Sequence, residues 1–346
     1  MKEKFEQWLR AAFQLKASDV HLSVGMPPVF RINGSLKRYG SEPLKPEETE
    51  EISRTIIQEK YYAVFDEKGE IDISYGIAGL SRFRVNAYRQ RSCVSLAIRI
   101  IPTSIPSLEE LSLPETVRRM TGKQQGLVLV TGPTGSGKST TLAAMIDYMN
   151  RTMSRHIITL EDPIEYLHKH QTCVIDQREV GYDTNSFANG LRSALRQDPD
   201  VILLGEMRDL ETIATAITAA ETGHLVLATL HTTSAASTID RIIDVFPPGQ
   251  QGQVRIQLAS VLVGVVSQRL FPTADQTGRR ALTEILVNTP AVSNLIRNEK
   301  IHQIYSVMQT SKALGMHTFD MAVKEAVEKK EIHSEAADPY LQEMKV

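Results

Sequence analysis

The residues whose types and spacing most clearly carry chemistry are Gly132-Pro-Thr-Gly-Ser-Gly-Lys-Ser-Thr140. Gly132, Gly137, Lys138 and Ser139 fit the spacing G-x-x-x-x-G-K-[ST]. Glycines at such positions let successive backbone N–H groups turn toward one anion, where a Cβ would stand in the way. The helix expected to follow adds positive dipole at the same point. Lys138 supplies a mobile charge for β- and γ-phosphates, and the Ser139 hydroxyl is a ligand for Mg²⁺. The expected nucleotide-binding loop is therefore Gly132, Pro133, Thr134, Gly135, Ser136, Gly137, Lys138, Ser139 and Thr140, with ATP and Mg²⁺ as its partners. The bland alternative is a glycine-rich turn that ends by chance in Lys-Ser. A short apolar run at 127–130 before the loop and a helix-competent segment after it argue against that.

Four further clusters fit hydrolysis of a bound nucleotide. In Ile158-Thr-Leu-Glu-Asp-Pro-Ile-Glu165, the carboxylates Glu161, Asp162 and Glu165 follow a short apolar run. Open α/β sheets place ligands at the carboxyl ends of their strands, and a hard cation wants carboxylate or water oxygen there. A solvated acidic turn is the competing reading. In Asp198-Pro-Asp-Val-Ile-Leu-Leu-Gly-Glu-Met-Arg-Asp209, Glu206 stands one residue beyond the usual metal-binding aspartate, a position held here by Gly205. Glu206 is then the base or orienter of the attacking water, with metal duty moving to Glu161. A helix-capping acid is the competing reading. His224 and His231 bracket the apolar run 225–230, and His231 is the candidate sensor of the γ-phosphate against the common structural strand-end histidine. Arg82 and Arg84 share one face of an extended segment, with Arg99 on another. They are solvated arginines, or they stabilise charge on a transferring phosphoryl group.

These residues need elements to hold them. Short apolar runs at 127–130, 157–160, 201–204 and 225–228 alternate with helical patterns near 140–150, 186–196 and 209–221. That alternation implies a parallel sheet with right-handed crossovers. Before them, helical periodicity covers 3–14. Strand-like runs follow at 17–23, 29–32 and 35–39, with Asn33-Gly34 as a hairpin turn. Pro46 opens an acidic helix running to about 60, and strand-like runs recur at 70–75, 81–88 and 94–101. Pro102, Pro106 and Pro114 mark a linker. The expected organisation is an α+β domain at 1–101, a linker at 102–114, an α/β ATPase core at 115–289 and a C-terminal helical region at 290–346.

The totals narrow the classes. Across 346 residues, 42% are hydrophobic and 23% charged, as in ordinary soluble domains. The net charge of −2 and aromatic content of 6% argue against a nucleic-acid motor, which would show a basic stripe with stacking aromatics. Glu206 argues against a nucleotide-gated adaptor, since a pure binder needs no water-positioning carboxylate. Cys93 and Cys173 form no C-x-x-C pair, and both are expected to be small buried residues. No signal-peptide core and no apolar run of membrane-spanning length is present, so a cytoplasmic protein is expected.

Together these motifs resemble the bacterial secretion ATPase superfamily of type II secretion and type IV pilus motors. The resemblance spans nearly the whole chain, from Ala17-Ser-Asp-Val-His-Leu22 and Arg82-Phe-Arg-Val-Asn86 through the phosphate loop. It continues with the acidic box, Gly205-Glu-Met-Arg-Asp209 and the histidine box 224–231. Ala291-Val-Ser-Asn-Leu-Ile-Arg297 and Gly315-Met-His-Thr-Phe-Asp320 resemble A-I-R-N-L-I-R and G-M-x-T-F-D of the pilus retraction ATPases. Val292 and Ser293 depart from that pattern and halve its basic character. The absence of a four-cysteine zinc element and of an extra leading domain speaks against the extension and secretion motors. The resemblance implies a PAS-like N-terminal domain and a RecA-like P-loop NTPase domain in a homohexamer, with ATP between the domains. It also implies that Arg84 and Arg99 approach the nucleotide, with Arg82 the weaker candidate. The implied partner is an inner-membrane pilus platform protein, which would hold the ring peripherally at the cytoplasmic face of the inner membrane. No direct nucleic-acid binding is expected. The implied activity is ATP-driven pilus retraction, with pilus assembly or type II secretion as the alternative.

Overall fold

The computed structural model describes residues 1–102, 104–276, 278–333 and 335–337. The last part of the expected C-terminal region, 338–346 together with position 334, lies outside them. The chain divides into two compact units, Met1–Ser104 and Ile105–Val346.

The first unit runs α1 (Lys2–Gln14), β1 (Asp19–Leu22), β2 (Val29–Ile32), β3 (Ser35–Arg38), α2 (Pro46–Ile56), α3 (Glu59–Lys68), β4 (Glu70–Ile77), β5 (Ser81–Gln90) and β6 (Cys93–Ile100). Its six strands form one antiparallel sheet in the order β3-β2-β1-β6-β5-β4. Asn33 and Gly34 both take positive φ, as a tight hairpin turn requires. Helix α1 buries Phe5, Leu9 and Ala12, the face its periodicity marked. The single helix expected from Pro46 is instead two, because the chain extends at Ile57 and Gln58. Glu48 caps α2 from within by accepting from the Lys45 backbone N–H at 2.9 Å. Strand β5 alternates buried with half-buried residues, so Arg82 and Arg84 do share the wetter face.

The second unit runs α4 (Glu115–Thr121), β7 (Gly126–Thr131), α5 (Lys138–Thr152), β8 (His156–Glu161), β9 (Val174–Glu179), α6 (Phe187–Ala194), β10 (Val201–Leu204), α7 (Leu210–Glu221) and β11 (Leu225–Leu230). It continues with α8 (Ala235–Asp244), α9 (Pro248–Val261), β12 (Leu262–Pro272), β13 (Arg279–Val287), α10 (Pro290–Arg297), α11 (Ile304–Thr310) and α12 (Phe319–Glu328). Seven strands order as β13-β12-β7-β11-β10-β8-β9, parallel throughout except for the antiparallel β12–β13 pair. Both faces of the sheet are covered. Leu127, Leu129, Ile202, Leu204 and Val226 feed one core, while Val128, Val130, Val201, Leu203 and Leu225 feed the other. Leu108, within the proline-marked stretch, is buried in the second of these cores.

The Gly315–Asp320 segment is structural here. Met316, Thr318 and Asp320 are buried. The Tyr305 hydroxyl donates to Asp320 Oδ1 at 2.8 Å. Buried Glu284 of β13 accepts the Phe319 N–H at 3.3 Å and the Ala235 N–H at 2.8 Å. One carboxylate thus caps the first turns of both α12 and α8, where orphan N–H groups and helix dipoles favour negative charge. Of the cysteines, Cys173 is buried and Cys93 only half-buried, so the expectation of two buried thiols holds for one.

Candidate functional site

The phosphate loop leaves the carboxyl end of β7 and enters α5 at Lys138. Gly132, Gly135 and Gly137 all take positive φ. At Gly132 a Cβ would lie 2.3 Å from the Gln268 carbonyl oxygen and 2.7 Å from Ser136 Oγ, so no side chain fits there. Pro133, Thr134 and Gly135 are exposed, Ser136 is buried, and Ser139 and Thr140 are half-buried. The Ser136 hydroxyl is buried without a hydrogen-bond partner. Lys138 Nζ donates to the carbonyls of Gly132 at 2.9 Å and Pro133 at 3.0 Å. Burial pulls the Lys138 ammonium below the usual lysine range, and the nearby carboxylates Glu206 and Glu165 oppose that pull. A half-buried cation facing two carboxylates beside a glycine cradle suits a polyanion.

Glu161 ends β8 and Glu206 lies just past the end of β10, on adjacent parallel strands. The Glu161 Oε1 accepts from the Thr159 hydroxyl at 2.6 Å and the Gln177 amide at 3.1 Å. Burial pushes its carboxyl above the usual range against those two bonds. Glu206 Oε1 lies 2.8 Å from His231 Nε2 and 2.5 Å from Arg208 Nε. Helix α7 is capped by Asp209, whose carboxylate accepts the Thr212 N–H at 2.8 Å, so Glu206 is not the capping acid. Gly205 explains the missing aspartate. Its N–H bonds the Leu160 carbonyl at 2.7 Å. A Cβ there would stand 3.2 Å from that oxygen and 3.3 Å from Glu161 Cα. The close approach of β10 to β8 makes any side chain at 205 a tight fit beside Glu161.

His231 follows β11 at its carboxyl end, beside Glu206. His224 is at the other end of the same strand, where its Nδ1 faces the Ala219 carbonyl at 3.0 Å and helps close α7. The two histidines that bracket this run thus stand at opposite ends of β11, and only His231 is at the carboxyl end. In the first unit, Arg84 and Arg99 face each other across β5 and β6. Asp72 lies 3.6 Å from Arg84, and Asp19 lies 3.2 Å from Arg99. Like charges directly opposite destabilise a strand pair, and the flanking carboxylates offset that cost.

Four residues near the loop were not foreseen. Gln268 of β12 bonds both the loop and α5. Gln177 of β9 holds Glu161, Thr229 of β11 donates to the Gly205 carbonyl at 2.5 Å, and Tyr166 pairs with Thr140 at 2.9 Å. Only Gln268 left a trace in the sequence, as the polar pair Ser267-Gln268 interrupting an apolar run.

A family model described as type II/IV secretion system protein matches residues 1–336. The type IV pilus retractation ATPase PilT of Pseudomonas aeruginosa is 50% identical over 328 residues, spanning 94% of this chain and 95% of that protein. A twitching motility protein of Neisseria gonorrhoeae is 49% identical over 310 residues, spanning 90% of this chain and 83% of the relative. A crystal structure of the pilus retraction motor PilT with bound ADP superposes with a TM-score of 0.89 at 48% identity, covering 96% of this chain and 95% of that one. The expected fold, a PAS-like α+β domain joined to a RecA-like P-loop NTPase domain, agrees with that superposition. By sequence along almost its full length and by fold, the chain belongs to the type II/IV secretion system protein family.

Proposed function

We propose that this chain is an ATP-hydrolysing motor that powers type IV pilus retraction. The observation that carries the proposal is the Glu206–His231 pair at the carboxyl edge of the sheet, at the end from which the glycine-rich loop with Lys138 also leaves. The names of the relatives support the pilus assignment. The loop amides and Lys138 grip the β- and γ-phosphates. Glu206 accepts a hydrogen bond from the attacking water and aligns it with the γ-phosphorus. His231, half-exposed beside it, reads whether the γ-phosphate is attached. Arg84 and Arg99 supply the cations that stabilise charge on the transferring group.

Ser139 and Glu161 are the residues that would hold Mg²⁺. One hydroxyl and one carboxylate are the oxygen donors that a hard cation of this kind takes. Among the described residues no three or more His, Cys, Asp or Glu form a metal cage. Mg²⁺ needs none, since it ordinarily takes one or two protein ligands and fills the rest with water and phosphate. Held there, it would supply positive charge against the phosphates.

The proposal extends to a homohexameric ring docked on an inner-membrane platform protein, and hence to the cytoplasmic face of that membrane. No helix among the described residues is long and apolar enough to cross a membrane. Counting surface pili on cells whose native copy carries Glu206→Gln tests the assignment. Excess pili that no longer shorten are expected. Bald cells would make this an assembly motor.

A further inference from the structure

Ser267 and Gln268 sit on β12 with 1% exposure each, a buried polar pair in an apolar strand. The register of β12 on β7 sets Ser267 beside Thr131, and their hydroxyls bond at 2.8 Å. One residue further, both ends of the Gln268 amide are used. Its Nε2 donates to the Ser136 carbonyl at 2.7 Å, and its Oε1 accepts from the Thr141 hydroxyl at 2.8 Å. The orientation is forced, because a carbonyl can only accept and the amide nitrogen must face it. A buried glutamine with both ends satisfied spans the phosphate loop and the first turn of α5.

The consequence follows from the planar trans peptide. In the unit joining Ser136 to Gly137, the C=O and N–H point in opposite directions. Gln268 holds the Ser136 carbonyl toward β12, so the Gly137 N–H is turned the other way. Released, the same peptide could present its carbonyl oxygen to the loop interior, where it would repel an anion. We propose that Gln268 is a positioning residue for the nucleotide, fixing the loop so that its N–H groups face the phosphates. This rests on the nucleotide-binding reading above. Loop amides serve bound ATP, its transition state and ADP alike, so losing the clamp removes uniform binding rather than catalysis.

Titration of fluorescent ADP into the full-length protein, with steady-state ATPase and a thermal melt of each variant, tests it. Gln268→Ala is expected to weaken ADP and raise KM for ATP, each about tenfold, with kcat within about twofold. Gln268→Glu keeps the volume and the Thr141 contact but sets two acceptors face to face at Ser136. It is expected to lose as much affinity as Gln268→Ala, which a purely packing role would not cause. ADP affinity within about twofold of the parent for both folded variants overturns the proposal. Should neither fold, Thr141→Val removes only the other end of the clamp and is expected to weaken ADP by about threefold. Unchanged affinity there also overturns it. A parent protein that binds no ADP would instead defeat the nucleotide reading itself.

Discussion

His231 Nε2 lies 2.8 Å from Glu206 Oε1, across the ends of neighbouring parallel strands β11 and β10. The same oxygen lies 2.5 Å from Arg208 Nε, so the carboxylate stands between two basic side chains at the edge where the phosphate loop also emerges. Glu206→Gln keeps the shape but removes the charge that orients water. Phosphate release is expected to slow by about 10²- to 10⁴-fold, while ADP titration stays close to the parent. His231→Ala should be costly alone yet add little in the Glu206→Gln background, because residues acting as a unit are non-additive. Full additivity of the two losses would separate the histidine from the carboxylate.

Gly205 occupies the place where many relatives of this fold carry a metal-binding aspartate, and it invites a restoring mutation. The spacing resists one. A Cβ at 205 would press on the Leu160 carbonyl at 3.2 Å and on Glu161 Cα at 3.3 Å. Gly205→Asp is expected to destabilise by about 1–3 kcal/mol through overpacking and to lower ATPase activity rather than raise it. A thermal melt paired with phosphate release checks both. A stable and faster variant would show that the strands can part there.

His168 gives the loop after β8 an acid sensitivity. Its Nδ1 is buried without a hydrogen-bond partner, and its backbone N–H donates to Gln177, the residue that holds Glu161. Burial pulls its imidazole down to about 4, against the opposing charge of Asp147. Below pH 6.5 the unfolded chain takes a proton that the folded chain refuses. Stability present above pH 6.5 is therefore lost as pH falls toward 4, at a slope of up to about 1.4 kcal/mol per pH unit from this group. His168→Gln should flatten that part of a denaturation-versus-pH curve. An unchanged slope would assign the loss to other groups.

The chemistry-bearing residues were legible because their spacing is dictated by the anion they serve. The loop at 132–140, the carboxylates at 161 and 206 and the histidine at 231 all fall at carboxyl ends of strands marked by short apolar runs. The supporting shell was not legible. Strand β9 mixes buried with exposed residues, helices α8 and α9 bury one face only, and the buried polar residues Ser267 and Gln268 interrupt the apolar run of β12. Gln268, Gln177 and Thr229 matter through partners more than 20 residues away in sequence for Thr229 and more than 120 away for Gln268, and no local period encodes such pairs. The roles of His224 and His231 diverged for a similar reason. A strand has two ends, and periodicity does not say which one faces the ligand.

Helix α10 gives the last test, because its motif has a buried face and an exposed one. Val292 and Ile296 are fully buried in the core. The Ser293 hydroxyl donates to the Ala259 carbonyl and to Asn288 Oδ1, at 2.9 Å each. Of the two departures, Val292 is buried and Ser293 half-buried against Ala259 and Asn288, while the loss of one basic residue from the motif stands as read from the sequence. Ala291, Asn294 and Arg297 remain exposed. Ile296→Ala should cost about 2–5 kcal/mol of stability as a core cavity, and ATPase should fall with the folded fraction. Arg297→Glu should leave melting temperature and ATPase within experimental scatter of the parent while abolishing pilus shortening in cells. That pairing is the signature of a surface that transmits work without making it. If Arg297→Glu silenced ATPase in the isolated protein, the helix would belong to the catalytic machinery and the docking face would have to be sought elsewhere.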